Sequence, residues 1–158
     1  MNMEEYLDMV EKKISKRGSV ISSWYSFKRE QDIGGATADL LARGNMGVKG
    51  KLLSRMWAWA APKWETLAVV FCNRSKENAS AEQLKKLLEN TEKYMSENDI
   101  KWSWLTYVSE TGFDSETESF VRARFKKETG IMLVDLPSKT FVYNSAPQNR
   151  YGTKVFKP

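Results

Sequence analysis

The sequence predicts an α/β (α+β) domain, a three-layer sandwich with a central mixed β-sheet flanked by helices. Three observations lead there. Apolar runs at 66–72, 102–108 and 131–136 alternate with amphipathic helical patterns at 80–96 and after Asp114, the order expected of strands joined by helical crossovers. The 66–72 run is apolar on both of its faces, as a central strand covered by helices would be. The chain has 158 residues and one cysteine, a length that fits one domain and buries a core without disulfides.

The elements follow in order. Residues 3–17 read as a helix, with Leu7, Val10 and Ile14 on one face and Gly18 as the stop. Residues 19–28 are rich in β-branched and aromatic side chains and read as a strand. Residues 31–50 are punctuated by Gly34, Gly35, Gly44, Gly47 and Gly50 and read as the least regular part. Within them, 38–42 fits either a short strand or a helical turn. Residues 51–61 fit a helix and a strand about equally, and Pro62 ends either one.

The second half is sharper. Ser80 and Gln83 form a capping-box pattern, and Leu84, Leu87, Leu88 and Met95 line one face of the helix that follows. The next helix starts at Asp114 or Ser115, with Ser115 and Glu118 in capping-box spacing, and is expected to end at Gly130. Residues 140–144 make a last strand after the turn at Pro137. The reading is one domain over 1–144 and a basic, polar C-terminal tail over 145–158.

Composition excludes several chemistries. There is no histidine, so the commonest general base and zinc ligand are missing. Cys72 lies in the most apolar strand and is expected to be a buried thiol. No GxxxxGK[ST], GxGxxG or GxSxG pattern occurs. The longest apolar runs are too short to cross a bilayer, and the first residues are acidic and amphipathic, which predicts a cytoplasmic protein with no membrane partner.

Charge is blocky. Residues 40–76 hold seven basic side chains and one acid, residues 77–138 hold eight basic and twelve acidic, and residues 139–158 hold four basic and no acid. Phosphate contacts supply most of nonspecific nucleic-acid affinity, and lysine and arginine beside exposed aromatics suit them. Arg43, Lys49, Lys51, Arg55, Arg74, Lys76, Arg150 and Lys154 are the candidate contacts. Trp57, Trp59 and Trp64 are interleaved with the first block, where a core role is the more ordinary expectation.

The run 102–136 has a strand, a polar turn at Gly112-Phe113, a capped helix and a strand ending at Asp135-Leu136. That order resembles the back half of the restriction-endonuclease-like fold of Mrr-type nucleases. The resemblance implies an acid on one strand and an acid-x-Lys pair on the neighbouring strand, which leads into a helix; together these hold magnesium and orient the attacking water. In the strand that leads into the 80–96 helix, Phe71 stands where the acid is expected and Asn73 where the lysine is expected. Asp39, with its apolar neighbours, resembles the first acid, and Glu65 is the lone acid at the opening of the 66–72 strand. Asp39 and Glu65 are therefore the candidate catalytic remnants.

The sequence thus predicts a nucleic-acid-binding relative of these nucleases with a degenerate catalytic motif. No cofactor is expected, and magnesium only if nuclease activity survives. The alternatives are a protein–protein interaction module, with a protein partner or a second copy of the chain, and a metal-dependent nuclease with a relocated site.

Overall fold

Two glycines decide how the sheet begins. Gly34 and Gly35 have φ of +69° and +88°, the conformation that a tight turn between antiparallel strands needs and that side chains resist. They join β1 (Ser22–Ile33) to β2 (Ala36–Met46) in a long hairpin. The computed structural model describes residues 1–16, 22–46 and 65–158. Among them β3 (Glu65–Asn73) pairs antiparallel with β2, β4 (Trp102–Ser109) parallel with β3, β5 (Thr129–Asp135) parallel with β4, and β6 (Thr140–Tyr143) antiparallel with β5. The result is one six-stranded mixed sheet whose spatial order follows the chain.

Four helices are described: α1 (Met3–Ser15), α2 (Ala81–Glu97), α3 (Ser115–Ala123) and α4 (Asn149–Phe156). The α2 and α3 crossovers step the chain one strand further in the same direction each time. Crossovers of one hand must then lie on one face. Accordingly Leu84, Leu88 and Met95 of α2 and Val121 of α3 share a core with Val69, Phe71, Leu105 and Leu133. The opposite face carries a second core in which α1 (Tyr6, Leu7, Val10, Ile14) and α4 (Phe156) cover Leu40, Val70, Trp104 and Met132. The expected α+β architecture, a mixed sheet with helices on both faces, is what the chain forms.

Several local expectations are corrected. Residues 31–46, read as irregular, are the end of β1, its turn and β2; burial of Ala38, Leu40, Leu41 and Ala42 at 0–1% exposure overrides their weak strand propensity. The first helix stops at Ser15. The helix after Asp114 ends at Ala123, not at Gly130, and its cap is Asp114, whose side chain accepts the Thr117 N–H at 2.6 Å. The Ser80–Gln83 capping box is present as read. Residues 51–61, the tryptophans Trp57, Trp59 and Trp64, and the Gly18 stop lie outside the described residues.

The largest change concerns residues 145–158. They contain α4, and its buried residues Asn149, Gly152 and Phe156 face the sheet. The docking is polar as well as apolar. Asn144 accepts the Ile131 N–H (2.9 Å) through its side-chain oxygen and donates to Thr129 O (3.2 Å). Trp104 Nε1 donates to Gln148 O at 3.0 Å, and Asn149 Nδ2 to Asn144 O at 2.8 Å. Gly130 lies inside β5 because a Cβ there would stand 2.1 Å from Asn149 Oδ1. Gly130→Ala is accordingly expected to destabilise the protein by about 1–3 kcal/mol through overpacking. A urea melt should show a lowered midpoint, and the loss in a double variant with Asn149→Ala should be smaller than the sum of the two single losses.

Candidate nucleic-acid interface

The β2–β3 ladder is continuous from Asn45–Glu65 to Leu40–Val70. Beyond it, the Asp39 carboxylate takes the place of a main-chain acceptor. Its Oδ2 accepts the Cys72 N–H at 2.7 Å, and its Oδ1 accepts Arg74 Nη2 at 2.8 Å and Nε at 3.3 Å. Arg74 also reaches Glu4 of α1 at 3.4 Å. Glu110, at the end of β4, accepts the Met3 N–H at 2.9 Å, the favourable place for a carboxylate at a helix N-terminus. This end of the sheet is therefore acidic, and Arg74 neutralises part of it.

The Cys72 thiol sits beside this group. Burial first, and then the Asp39 carboxylate, push its pKa far above the ordinary thiol value. Cys72 is half-buried rather than buried as the sequence suggested, and a thiol held protonated is a poor nucleophile.

Glu65 lies at the other end of β3. It accepts from Arg43 Nη2 at 2.7 Å and from the Tyr25 hydroxyl. Burial opposes ionisation, but these two donors hold its carboxyl below the usual range. Asp39 neighbours Cys72, seven positions along β3 from Glu65, or roughly 23 Å at the rise of a strand. The two candidate catalytic acids do not meet. Asn73 is committed to the loop before α2: its Nδ2 donates to Glu77 O (2.9 Å), and its Oδ1 accepts the Ser75 N–H (3.2 Å).

Magnesium wants several oxygen ligands and keeps its own waters. At Asp39 a cation would have to displace the Arg74 guanidinium and would find one carboxylate. No group of three or more His, Cys, Asp or Glu suited to a metal occurs among the described residues. The described residues around Asp39 do not fit a magnesium site.

The candidate phosphate contacts divide in three. Lys49, Lys51 and Arg55 lie outside the described residues. Arg43 and Arg74 are engaged by Glu65 and Asp39, and Lys76 is exposed on the loop after β3. Arg150 and Lys154 are exposed on α4, one turn apart and so on the same helix face.

Lys154 belongs to a groove between β6 and α4, with a volume of about 420 Å³, lined by Lys139, Phe141, Tyr143, Thr153, Lys154 and Lys157. Phe141 and Tyr143 are two positions apart on β6 and so point to the same face. Their cross-strand partners Val134 and Met132 belong to the second core. Tyr143 is 48% exposed, and its ring centroid is 5.7 Å from that of Phe141 with a 43° tilt. Lys139 holds the turn before β6 at φ +57°. No carboxylate side chain lines the groove.

Sequence reasoning missed Lys139, Phe141 and Tyr143 as site residues. The signal available was the acid-free segment 139–158, which begins at Lys139 and contains both rings.

A second depression of about 250 Å³ opens at the C-terminal ends of β3 and β4, between Phe71, Tyr107, Gln83, Lys86 and Leu87. Burial raises the Tyr107 phenol to about 12, so it remains a neutral donor to Gln83 Oε1 at 3.3 Å.

Compared with family models, curated proteins and solved structures, the chain gives no match in any of the three.

Two outcomes are expected. Native Cys72 should react with a thiol reagent at pH 8 more than about a hundredfold slower than in urea-unfolded chain, because the native thiolate is suppressed. Arg74→Met should lower stability by about 1–2 kcal/mol at neutral pH by leaving the Asp39 carboxylate short of its charged donor. Adding Asp39→Asn should recover part of that loss in a double-mutant cycle read by chemical denaturation.

Proposed function

We propose that this protein binds nucleic acid through the groove between β6 and α4, and that it is a catalytically degenerate relative of the restriction-endonuclease-like nucleases. The observation that carries the binding is the groove's composition: three lysines and two aromatic rings with no carboxylate side chain among them. Such a surface releases counterions from a polyphosphate and pays no like-charge penalty. Arg150 extends the line of cations along α4.

The kinship rests on the relation of β2 to β3. The resemblance calls for an acid on one strand and an acid-x-Lys pair on its neighbour, ahead of a helix. Asp39 is on β2, β3 is the neighbour, and α2 follows. The residues that meet Asp39 are Cys72 and Arg74. They keep the i, i+2 spacing of the pair, one residue on from Phe71 and Asn73. A thiol then replaces the acid and a guanidinium replaces the lysine, which removes both the second metal ligand and the titratable amine.

Filter binding at 20 mM salt should detect affinity for an oligonucleotide, and the affinity should fall with salt. The slope of log K against log[salt] should be about −2 to −3 if three or four phosphates are neutralised. Charge reversal of Lys139, Lys154 and Lys157 together should remove binding while leaving the fold intact, and no cleavage should follow addition of magnesium or manganese. Absence of affinity at this salt sinks the reading.

A further inference from the structure

We infer that the groove takes an unpaired strand, with a base seated on the Tyr143–Phe141 shelf and the flanking phosphates on Lys139, Lys154, Lys157 and Arg150. The inference rests on the nucleic-acid reading above and names the form of nucleic acid. Lysines alone would not distinguish a duplex from a single strand, because both present phosphates. The rings make the distinction. A π-face has a partner only where a base has left its stack, so an aromatic shelf inside a cationic groove is of use to unpaired nucleotides and of none to stacked duplex bases.

The geometry is suited to this. Tyr143 and Phe141 project from one face of an edge strand, and their 43° tilt presents two separate ring faces rather than a closed sandwich. Phe141 is half-buried against the second core and fixes the shelf, while Tyr143 is the exposed platform. The cations come from the opposite wall, on α4, and from Lys139 at the end of the groove. A base on the shelf thus leaves its sugar-phosphate on the lysine side.

Nothing described in this region would fill a major groove. That groove admits a helix or a two-stranded ribbon. Helix α4 has eight residues, about 12 Å of axis. Asn149 near its start and Phe156 at its end are both 1% exposed, so it lies flat on the sheet instead of standing out from it. Strand β6 has four residues and is paired to β5 throughout. The concave groove between them is the accessible feature.

The decisive experiment is fluorescence anisotropy on the full chain with three labelled probes: a 12-nucleotide oligothymidylate, the corresponding oligouridylate and a 12-base-pair duplex. Both single strands should bind at least about tenfold tighter than the duplex at 50 mM salt, and comparison of the two reports whether ribose matters. Tyr143→Ala should weaken single-strand binding about tenfold or more, and Tyr143→Phe should restore it, because stacking needs the ring and not the hydroxyl. Lys154→Ala should weaken all probes alike and make the salt slope shallower by about one contact. Tyr143 is exposed, so a thermal melt of Tyr143→Ala should match the parent and exclude misfolding.

If the duplex binds as tightly as the strands, or Tyr143→Ala leaves affinity unchanged while Lys154→Ala reduces it, the strand inference is overturned and the nucleic-acid reading stands. If no probe binds even at 20 mM salt, both fall.

Discussion

The docking of residues 144–156 onto the second face of the sheet is the constraint on which the rest depends. A six-stranded sheet with helices on one face leaves an apolar surface on the other. Helix α1 covers the β2–β3 side of that surface, with Leu7 and Val10 in the same core as Leu40 and Val70. The β4–β5 side needs another cover, and α4 supplies it with Phe156 and a glycine at 152, where a Cβ would meet Trp104 at 2.7 Å. The two covering helices are tied to each other: the buried Tyr6 hydroxyl donates to Phe156 O at 2.7 Å, and Lys13 Nζ to Lys157 O at 2.7 Å. Burial raises the Tyr6 phenol, so it stays a neutral donor. Apolar burial supplies the drive, and the hydrogen bonds of Asn144, Gln148 and Trp104 fix the place. Buried amides cost stability unless they are paired, so they select one docking position over its slipped neighbours.

That docking also makes the groove between β6 and α4. Lys154 is a helix residue, Lys157 follows the helix directly, and Phe141 and Tyr143 are strand residues; only when α4 lies on β5 do they face each other across a groove. The residues that bury α4 (Asn149, Gly152, Phe156) and those that present charge (Arg150, Lys154) interleave in a single eight-residue helix. Buried and charged residues therefore occupy opposite faces of one turn-by-turn pattern. A variant that loosens α4 would lose the groove without touching any groove residue.

Much of the fold was legible in the sequence, and the reason is physical. Strands β3, β4 and β5 are buried on both faces, so they read as largely apolar runs, and α2 advertises itself by its Ser80–Gln83 box. The hairpin was harder. Strand β2 contains Ala38, Asp39, Leu40, Leu41 and Ala42, none β-branched, and its strand character comes from partners on both sides that local propensity does not reveal. Gly130 misled for a related cause: glycine after a helical pattern reads as a stop, but this one makes room for Asn149, nineteen positions away. Helix α4 was illegible because its buried set is Asn149, Gly152 and Phe156, two of the three not apolar side chains. The candidate site was half legible for the same reason. Arg150 and Lys154 stood out by charge, whereas Lys139, Phe141 and Tyr143 join them only through tertiary contact.

The arrangement of charge over the second face bears on how a ligand would arrive. Helix α1 has Glu4 and Glu5 in its first turn and Lys12 and Lys13 in its last, each favourable to the helix dipole. Its acidic end lies by Glu110 and by the Asp39–Arg74 pair, and its basic end lies by Lys157 at the end of α4. The opposite face, with α2 and α3, lies in the acidic segment 77–138. Under the nucleic-acid reading, a polyanion would be repelled from the Asp39 end and drawn toward the groove, so the field would orient the encounter before any contact formed. At that end the Arg74 guanidinium is already bound to Asp39 and Glu4. A basic groove at one end and the paired Asp39 and Arg74 at the other belong to one charge distribution.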